Sequence, residues 1–588
     1  MPNPASLDRQ WWKEAVVYQI YPRSFNDANG DGTGDLPGII EKLDYLDALG
    51  VDVVWLSPVY DSPMADNGYD IRDYRSIADL FGSMDDFDVM LDGLHARDIR
   101  LVMDLVVNHT SDEHRWFEAA RSHPDNPYRD YYIWRPPAPD GGPPTNWPSF
   151  FGGSAWTLDE ATGAYYLHLF ADKQPDLNWD HPDVRHAVYD DMRFWLDKGV
   201  DGFRMDVITF ISKDWTFPDL PDDADPFRFF ANGPRLHEFL HEMNREVLQH
   251  YDVMTVGESW GVRPEEALAF VAAERQELHT FFQFDHIQIT RQPAQHDRPR
   301  EWTLPELKTI IDRWDEAFAD AGWGSQFLGN HDLPRMVSAW GDDRPEYRRA
   351  AAKVWFTFLL TMRGTPYIYQ GDEIGLPNAR FDGIDDFRDI EARTTYRERV
   401  EGGENPADVL DDLRRLSRDN ARVPIPWTDG PGTGFTTADE PWIGLHPDAD
   451  TIHVEAARAD SDSVWHYVRD VIALRHEHEV LVYGDYTNWT PTHDRLWMYT
   501  RTLNDETMGV LLNVSSTPLA VDVDVDDVDV VDVDVVDVDV VDVDVVDVDV
   551  PEVLLNDTEV QIGTHRDRGD SLTAPVTLRP YEAVLVRL

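Results

Sequence analysis

Short apolar runs rich in β-branched and aromatic residues recur along the chain. They are AVVYQIY (15–21), VDVVWLSP (51–58), RLVMDLVV (100–107), GVDGFRMDV (199–207), YDVMTVGE (251–258), SQFLGN (325–330) and TPYIYQG (365–371). A weaker one lies at FFQFDH (281–286). Near-continuous apolar runs of this length read as strands buried on both faces. Between them lie stretches of helical period, such as LPGIIEKLDYLDALG (36–50) and MDDFDVMLDGLHARD (84–98). Alternation of strand and helix predicts parallel βαβ units. Eight such strands suit a closed (β/α)8 barrel, and polar residues cluster at their C-terminal ends, where barrel enzymes keep their chemistry.

The alternation breaks at 109–178, a stretch rich in Pro, Gly, Trp and Tyr that reads as an irregular insertion after the third strand. A helix at SVWHYVRDVIALRHEH (463–478) is expected to close the barrel, and LWMYTRTL, MGVLLNV and AVLVRL beyond it alternate like strands. The predicted organisation is a barrel from 1–108 and 179–478, an inserted domain at 109–178, and a C-terminal β domain at 479–588. Inside the last lies a tract, 521–550, built largely from the unit VDVDV. The unit begins and ends with Val, so the alternation inverts every few residues and no long strand could keep one dry face. An expanded, solvated loop is the expectation, with stacked short strands the alternative; it carries no functional signal.

Charge narrows the partners. The chain has 588 residues, with 52 Lys+Arg against 111 Asp+Glu and a formal net charge of −59. Such a chain repels nucleic acid and anionic lipid, so neither is an expected partner. Lysines number 7 and arginines 45. Dense carboxylate with few lysines resembles the proteins of salt-loving microbes, because at about 1 M salt the Debye length falls to roughly 3 Å and self-repulsion is screened. No cysteine is present, which excludes disulfides and thiolate sites. The start, MPNPASLDRQWWKE, lacks a basic segment followed by an apolar one, and no window is apolar enough for a membrane span. A cytoplasmic protein, monomeric or weakly homo-oligomeric, is expected.

The strand ends carry the chemistry. In GFRMDV, Arg204 and Asp206 are two apart and face one way. An arginine keeps its proton and holds a neighbouring carboxylate ionised, as a nucleophile needs; the other reading is a structural ion pair. MTVGESW ends on Glu258, which has no cationic neighbour in sequence and could keep a proton to donate; here the other reading is a helix cap. Two carboxylates in opposed environments are the machinery of glycoside hydrolysis. LGNHDLPR adds His331 and Asp332, DLVVNHT adds Asp104, Asn108 and His109, and DNGYD adds Asp66 and Tyr69. Five clusters at strand ends would converge on one pocket.

With these motifs in order, the chain resembles the alpha-amylase superfamily of glycoside hydrolases, in its oligo-1,6-glucosidase and alpha-glucosidase branch. DLVVNH, GFRMD, VGES and GNHD carry the resemblance, with WWKEAVVYQIYPRSFND and DGTGDLPGI at the first strand and loop. It covers about residues 8–515. It implies a barrel with an inserted B domain and a C-terminal β-sandwich. It also implies that Asp206 is the nucleophile, Glu258 the general acid/base, and Asp332 the carboxylate that grips sugar hydroxyls and favours a distorted ring. His109, His331 and Arg204 would complete that subsite. Asp66 and Arg418 would close the far end, making the enzyme exo-acting, and Tyr69 would stack on the sugar. Val207, after the nucleophile, resembles the α-1,6-specific members. A short oligosaccharide is the implied substrate, with no organic cofactor. An α-1,4 maltase, and a transferase or isomerase such as a trehalose or isomaltulose synthase, use the same machinery. A non-catalytic relative, like the heavy subunits of amino-acid transporters, would need a membrane span and tends to lack the carboxylates.

The loop DANGDGTGD offers Asp27, Asn29, Asp31, the Thr33 carbonyl and Asp35 at alternating positions, oxygens that suit Ca²⁺. The closing Glu of an EF-hand is missing, since Gly38 stands there, so a structural rather than a sensing ion is expected, Ca²⁺ or Mg²⁺. An unoccupied polar turn is the alternative.

Overall fold

A computed structural model of the chain describes residues 9–221, 227–293, 295–319, 321–523, 544–548, 558–566, 568–569, 571–572 and 576–588. Eight parallel strands form the central sheet: β1 (Val17–Ile20), β2 (Val53–Leu56), β3 (Arg100–Val106), β4 (Gly202–Asp206), β5 (Met254–Glu258), β6 (Thr280–Phe282), β7 (Ser325–Gln326) and β8 (Thr365–Tyr369). Their spatial order is β6-β5-β4-β3-β2-β1-β8-β7. The circle between β6 and β7 is completed by side chains, Thr280 Oγ1 lying 3.0 Å from Ser325 Oγ. All eight runs expected from the pattern are therefore barrel strands, the weak one included.

Helices cover the outside because their apolar stripes need the barrel wall. Met84–His95 starts at Ser83, whose hydroxyl accepts from Asp86 N while the Asp86 side chain answers the Ser83 N–H, a reciprocal cap. Pro182–Lys198 ends at Gly199 in the left-handed region, with φ 108°. Close strand approach explains Gly202: a Cβ there would lie 2.0 Å from the Met254 carbonyl oxygen of β5. The helix Val464–Glu477 follows the last strand, capped by Ser463, and packs its apolar face inward.

The 109–178 segment is more regular than the sequence implied. It carries a helix, Arg115–Ser122, and a three-stranded antiparallel sheet of Trp134–Arg135, Ala164–Leu167 and Trp156–Asp159. The reason is the hairpin WTLDEATGAYYL: Gly163 turns the chain at φ 69° and returns its N–H to the Asp159 carbonyl at 2.8 Å. Bridges of His109 with Asp176 and Tyr132 with Leu177 pin this segment over the C-terminal mouth of the barrel.

Beyond the barrel, a six-stranded sheet, running from Asp485–Asn488 to Ser571–Leu572, faces a three-stranded one. Leu496, Met498 and Leu511 of the first share a core with Leu519, Val576 and Leu578 of the second, which makes a sandwich. The Asp/Val tract enters this region at both ends: Leu519–Val523 and Asp544–Val548 pair in parallel. Short paired strands are thus present where a loop was expected; the rest of the tract lies outside the described residues.

Candidate active site

Strand register builds the centre of the site. Arg204 of β4 pairs with Asp104 of β3 on one side and Val256 of β5 on the other. Its guanidinium is buried, 5.2 Å from the Trp55 ring centroid. Nη1 donates to Asp104 Oδ1 at 2.7 Å and to Asp206 Oδ1 at 2.6 Å, and Nη2 lies 2.8 Å from Glu258 Oε2. Trp55 Nε1 and Tyr69 Oη, each at 3.1 Å, donate to the other oxygen of Asp104.

This arrangement corrects the expected electrostatics. The sequence pairs Arg204 with Asp206 and shows no cationic neighbour for Glu258. Instead one guanidinium is shared by three carboxylates, because β5 brings Glu258 to the same arginine from the next strand. Burial pushes the Asp206 carboxyl well above the usual range; Arg204 pulls it down, and the charges on Glu258 and Asp104 push it further up. Burial likewise raises Asp104 to about 6 against the pull of Arg204. One positive charge among three acids leaves an excess negative charge, which favours keeping one proton within the cluster.

Glu258 is held at both oxygens. Oε2 accepts the Val207 N–H at 2.9 Å, and Oε1 accepts Trp260 Nε1–H at 3.0 Å. Val207 reaches this position in the left-handed region, at φ 35° and ψ 43°. That conformation is strained for a β-branched residue and is found where surrounding structure enforces it.

Asp332 follows β7. Its own N–H is taken by Asn330 Oδ1 at 2.8 Å, a local turn that aims the carboxylate into the cleft, where its side chain is 33% exposed. Oδ1 accepts from Arg422 Nη2 at 2.8 Å and Arg418 Nη1 at 3.3 Å. Burial works against ionisation, but His331, Arg418, Arg422 and Arg204 outweigh it and hold Asp332 well below the usual range. His331 is itself pushed down to about 3 by burial, so its ring is neutral and the arginines carry the effect. His331 Nε2 lies 2.6 Å from Tyr69 Oη, and the two rings stack at 5.4 Å and 8°. Tyr69 therefore has His331 against its ring, a partner the sequence did not reveal.

Asp66 is buried and hydrogen-bonded by Gln174 Nε2 at 3.0 Å; the same amide lies 3.2 Å from His109 Nε2. Burial raises Asp66 to about 7, with Arg418 and Arg422 opposing. Arg418 acts on Asp66 through charge alone: its hydrogen bonds go to Asp389 and Asp332. Hydrogen bonds and ion pairs, running through Asp104 and Gln174, join all ten residues expected around the reacting sugar into one network. Sequence reasoning did not assign Gln174, Trp260 or Asp389 to it. The sequence leaves Arg418 and Arg422 as alternatives, four residues apart across the short helix Asp419–Arg422, and in the structure both reach Asp332.

The 27–35 loop is tied to the 435–442 segment: the Asp27 N–H donates to the Phe435 carbonyl and the Trp442 N–H to the Gly32 carbonyl, each at 2.9 Å. Asp27 accepts from Gly30 N at 2.7 Å and Gly32 N at 2.8 Å, Asn29 from Asp31 N and Asp31 from Thr33 N, each at 2.9 Å. Asp35 accepts from Gly38 N at 2.7 Å and caps the helix Leu36–Glu41. The donors are all hard oxygens, which suits a Ca²⁺-like ion. Among the described residues, no three or more of His, Asp and Glu gather closely enough to hold a metal by themselves. A cation here would therefore depend on the Asn29 amide oxygen and the Thr33 carbonyl as much as on the acids.

Comparison with known proteins bears on this geometry. Residues 19–484 match the model of the alpha amylase catalytic domain. An oligo-1,6-glucosidase of Parageobacillus thermoglucosidasius is 55% identical over 523 residues, covering 87% of this chain and 92% of that protein. An oligo-1,6-glucosidase of Bacillus cereus is 46% identical over 587 residues, covering 99% and 100%. Among solved structures, the isomaltulose synthase of Klebsiella sp. LX3 superposes with a TM-score of 0.91 at 42% identity, covering 99% of this chain and 100% of that one.

Proposed function

The chain belongs to the alpha-amylase family of glycoside hydrolases, and from that premise we propose that it is an exo-acting α-glucosidase. It removes terminal glucose from short oligosaccharides with retention of configuration, and prefers α-1,6 bonds. The single observation that carries the reading is the shared guanidinium: Arg204 sets Asp206 and Glu258 side by side, facing into one cleft.

Asp206 Oδ attacks the anomeric carbon. As that bond forms, the glycosidic bond breaks and Glu258 gives its proton to the departing sugar oxygen. The product is a glucosyl ester on Asp206. Glu258, now a carboxylate, takes a proton from water, whose oxygen attacks the same carbon and releases Asp206 with net retention. Asp332, kept ionised by its arginines, accepts hydrogen bonds from ring hydroxyls beside the anomeric carbon and stabilises the cationic transition state. Asp66, Gln174 and His109 close the far end, so only a terminal glucose fits.

The names of the relatives support the α-1,6 preference, and Val207 agrees with it. The isomaltulose synthase likeness favours one second reading, transfer of the glucosyl group to a sugar rather than to water, because both outcomes use the same ester. The cellular reading is a cytoplasmic enzyme suited to high salt, monomeric or weakly associated; among the described residues no helix is long and apolar enough to cross a membrane. The loop oxygens of Asp27, Asn29, Asp31, Thr33 and Asp35 would hold a structural Ca²⁺ or Mg²⁺, and a rise in Tm on adding Ca²⁺ tests that.

The functional test is a product assay in about molar KCl with isomaltose, maltose and sucrose supplied separately. Release of α-glucose from isomaltose in preference to maltose is expected. Faster maltose cleavage overturns the α-1,6 preference, and a new disaccharide from sucrose moves the assignment to a transferase or isomerase.

A further inference from the structure

The indole of Trp260 touches the carboxyl group on which proton delivery depends. Trp260 Nε1 donates to Glu258 Oε1 at 3.0 Å. The other oxygen, Oε2, accepts the Val207 N–H at 2.9 Å and is ion-paired with Arg204, whose Nη2 lies 2.8 Å away. An N–H donor and a buried cation thus face Oε2 and disfavour a proton there, so the proton that Glu258 delivers resides on Oε1. An indole N–H donates only; it neither accepts a proton nor ionises in this range. Trp260 can thus fix Oε1 without competing for the proton it carries.

The indole is itself held rigidly. Its ring stacks on Phe284 at 3.9 Å and 7°, and on Phe227 at 5.7 Å and 3°. Its carbonyl accepts from Asn232 Nδ2 at 3.1 Å and Thr209 Oγ1 at 3.3 Å. A donor stacked against two rings and held at its backbone sets the direction in which the remaining lone pair of Oε1 points.

We propose that Trp260 is a positioning residue for acid catalysis: its N–H occupies one lone pair of Glu258 Oε1 and turns the other, which carries the proton, toward the glycosidic oxygen. This rests on Glu258 being the general acid/base. In the step, the Oε1–H bond breaks as the proton joins the leaving sugar oxygen, and Oε1 keeps the electron pair while still accepting from Trp260.

The test exploits leaving groups. Isomaltose needs a proton on its departing oxygen, whereas dinitrophenyl α-glucoside releases a phenolate that does not. W260F should lower kcat/KM for isomaltose about thirtyfold and that for the dinitrophenyl glucoside by no more than about twofold. Trp260 replaced by benzothienylalanine, which keeps the bicyclic ring and loses only the N–H, should show the same split even where W260F folds poorly. Equal losses on both substrates, or no loss on isomaltose with the benzothienyl ring, overturn the proposal. E258A is the reference: if it shows the split and the Trp260 variants do not, only the positioning role fails. If E258A shows no split, the acid/base reading of Glu258 fails, and the positioning role with it.

Discussion

The backbone N–H of Val207 donates to Glu258 Oε2 at 2.9 Å. The residue after one carboxylate therefore anchors the other, and it does so from a left-handed conformation that valine rarely adopts. On the proposed reading, position 207 links the choice of substrate to the setting of the acid/base. Val207→Thr keeps the branched shape but adds a hydroxyl at the cleft. The ratio of isomaltose to maltose kcat/KM should fall by about tenfold, close to 1.4 kcal/mol of discrimination. Parallel measurements on both disaccharides check this; an unchanged ratio assigns the preference elsewhere.

Arg204 serves three acids through a planar fork, which a lysine cannot imitate. Arg204→Lys should lower kcat by roughly a hundredfold while the protein stays folded. Arg204→Met leaves three buried carboxylates without a cation and should cost about 3–5 kcal/mol of stability. Denaturant unfolding separates the two outcomes. Near-normal turnover in Arg204→Lys would contradict the shared-guanidinium account.

Asp66 predicts a pH effect of definite sign. Its folded value is about 7, against about 3.9 unfolded. For a raised carboxyl, the stabilising contribution is complete below the unfolded value and is lost as pH rises through the folded one. Asp66→Asn cannot ionise, so its Tm should draw ahead of the parent's between pH 5 and pH 8, by about 2 °C or more, while kcat/KM falls through the lost sugar contact. A Tm gap that narrows toward pH 8 would contradict the burial of this carboxylate.

The net charge of −59 makes salt a stabiliser. Raising KCl from about 0.1 M to about 2 M shortens the screening length several-fold and should raise Tm by about 5 °C or more. Thermal melts across that range decide the point; a flat response contradicts adaptation to high salt.

Particular residues show what the sequence could reveal. VVYQI, VVWL and TPYIY identify themselves as buried strands because parallel barrel strands are apolar on both faces. Asp206, Glu258 and Asp332 stand out because each is an acid where such a run ends. The partners of Arg204 did not, since spacing along β4 gives Asp206 but only inter-strand register gives Asp104 and Glu258. Gln174 was hidden because it reaches Asp66 and His109 from the inserted segment, far away in sequence. The hairpin 156–167 reads as irregular in the sequence because its strands are four residues each, too short for alternation to register.

The covalent step on Asp206 is the centre of the account, and trapping tests it most directly. The E258Q enzyme incubated with 5-fluoro-α-glucosyl fluoride, which forms the ester but hydrolyses it slowly, should accumulate one glucosyl group per chain. Peptide mass spectrometry should then find that group on the fragment containing Asp206, and Asp206→Asn should abolish the label. A label on Glu258Gln-bearing or Asp332-bearing fragments, or none at all while substrate is still cleaved, would contradict it.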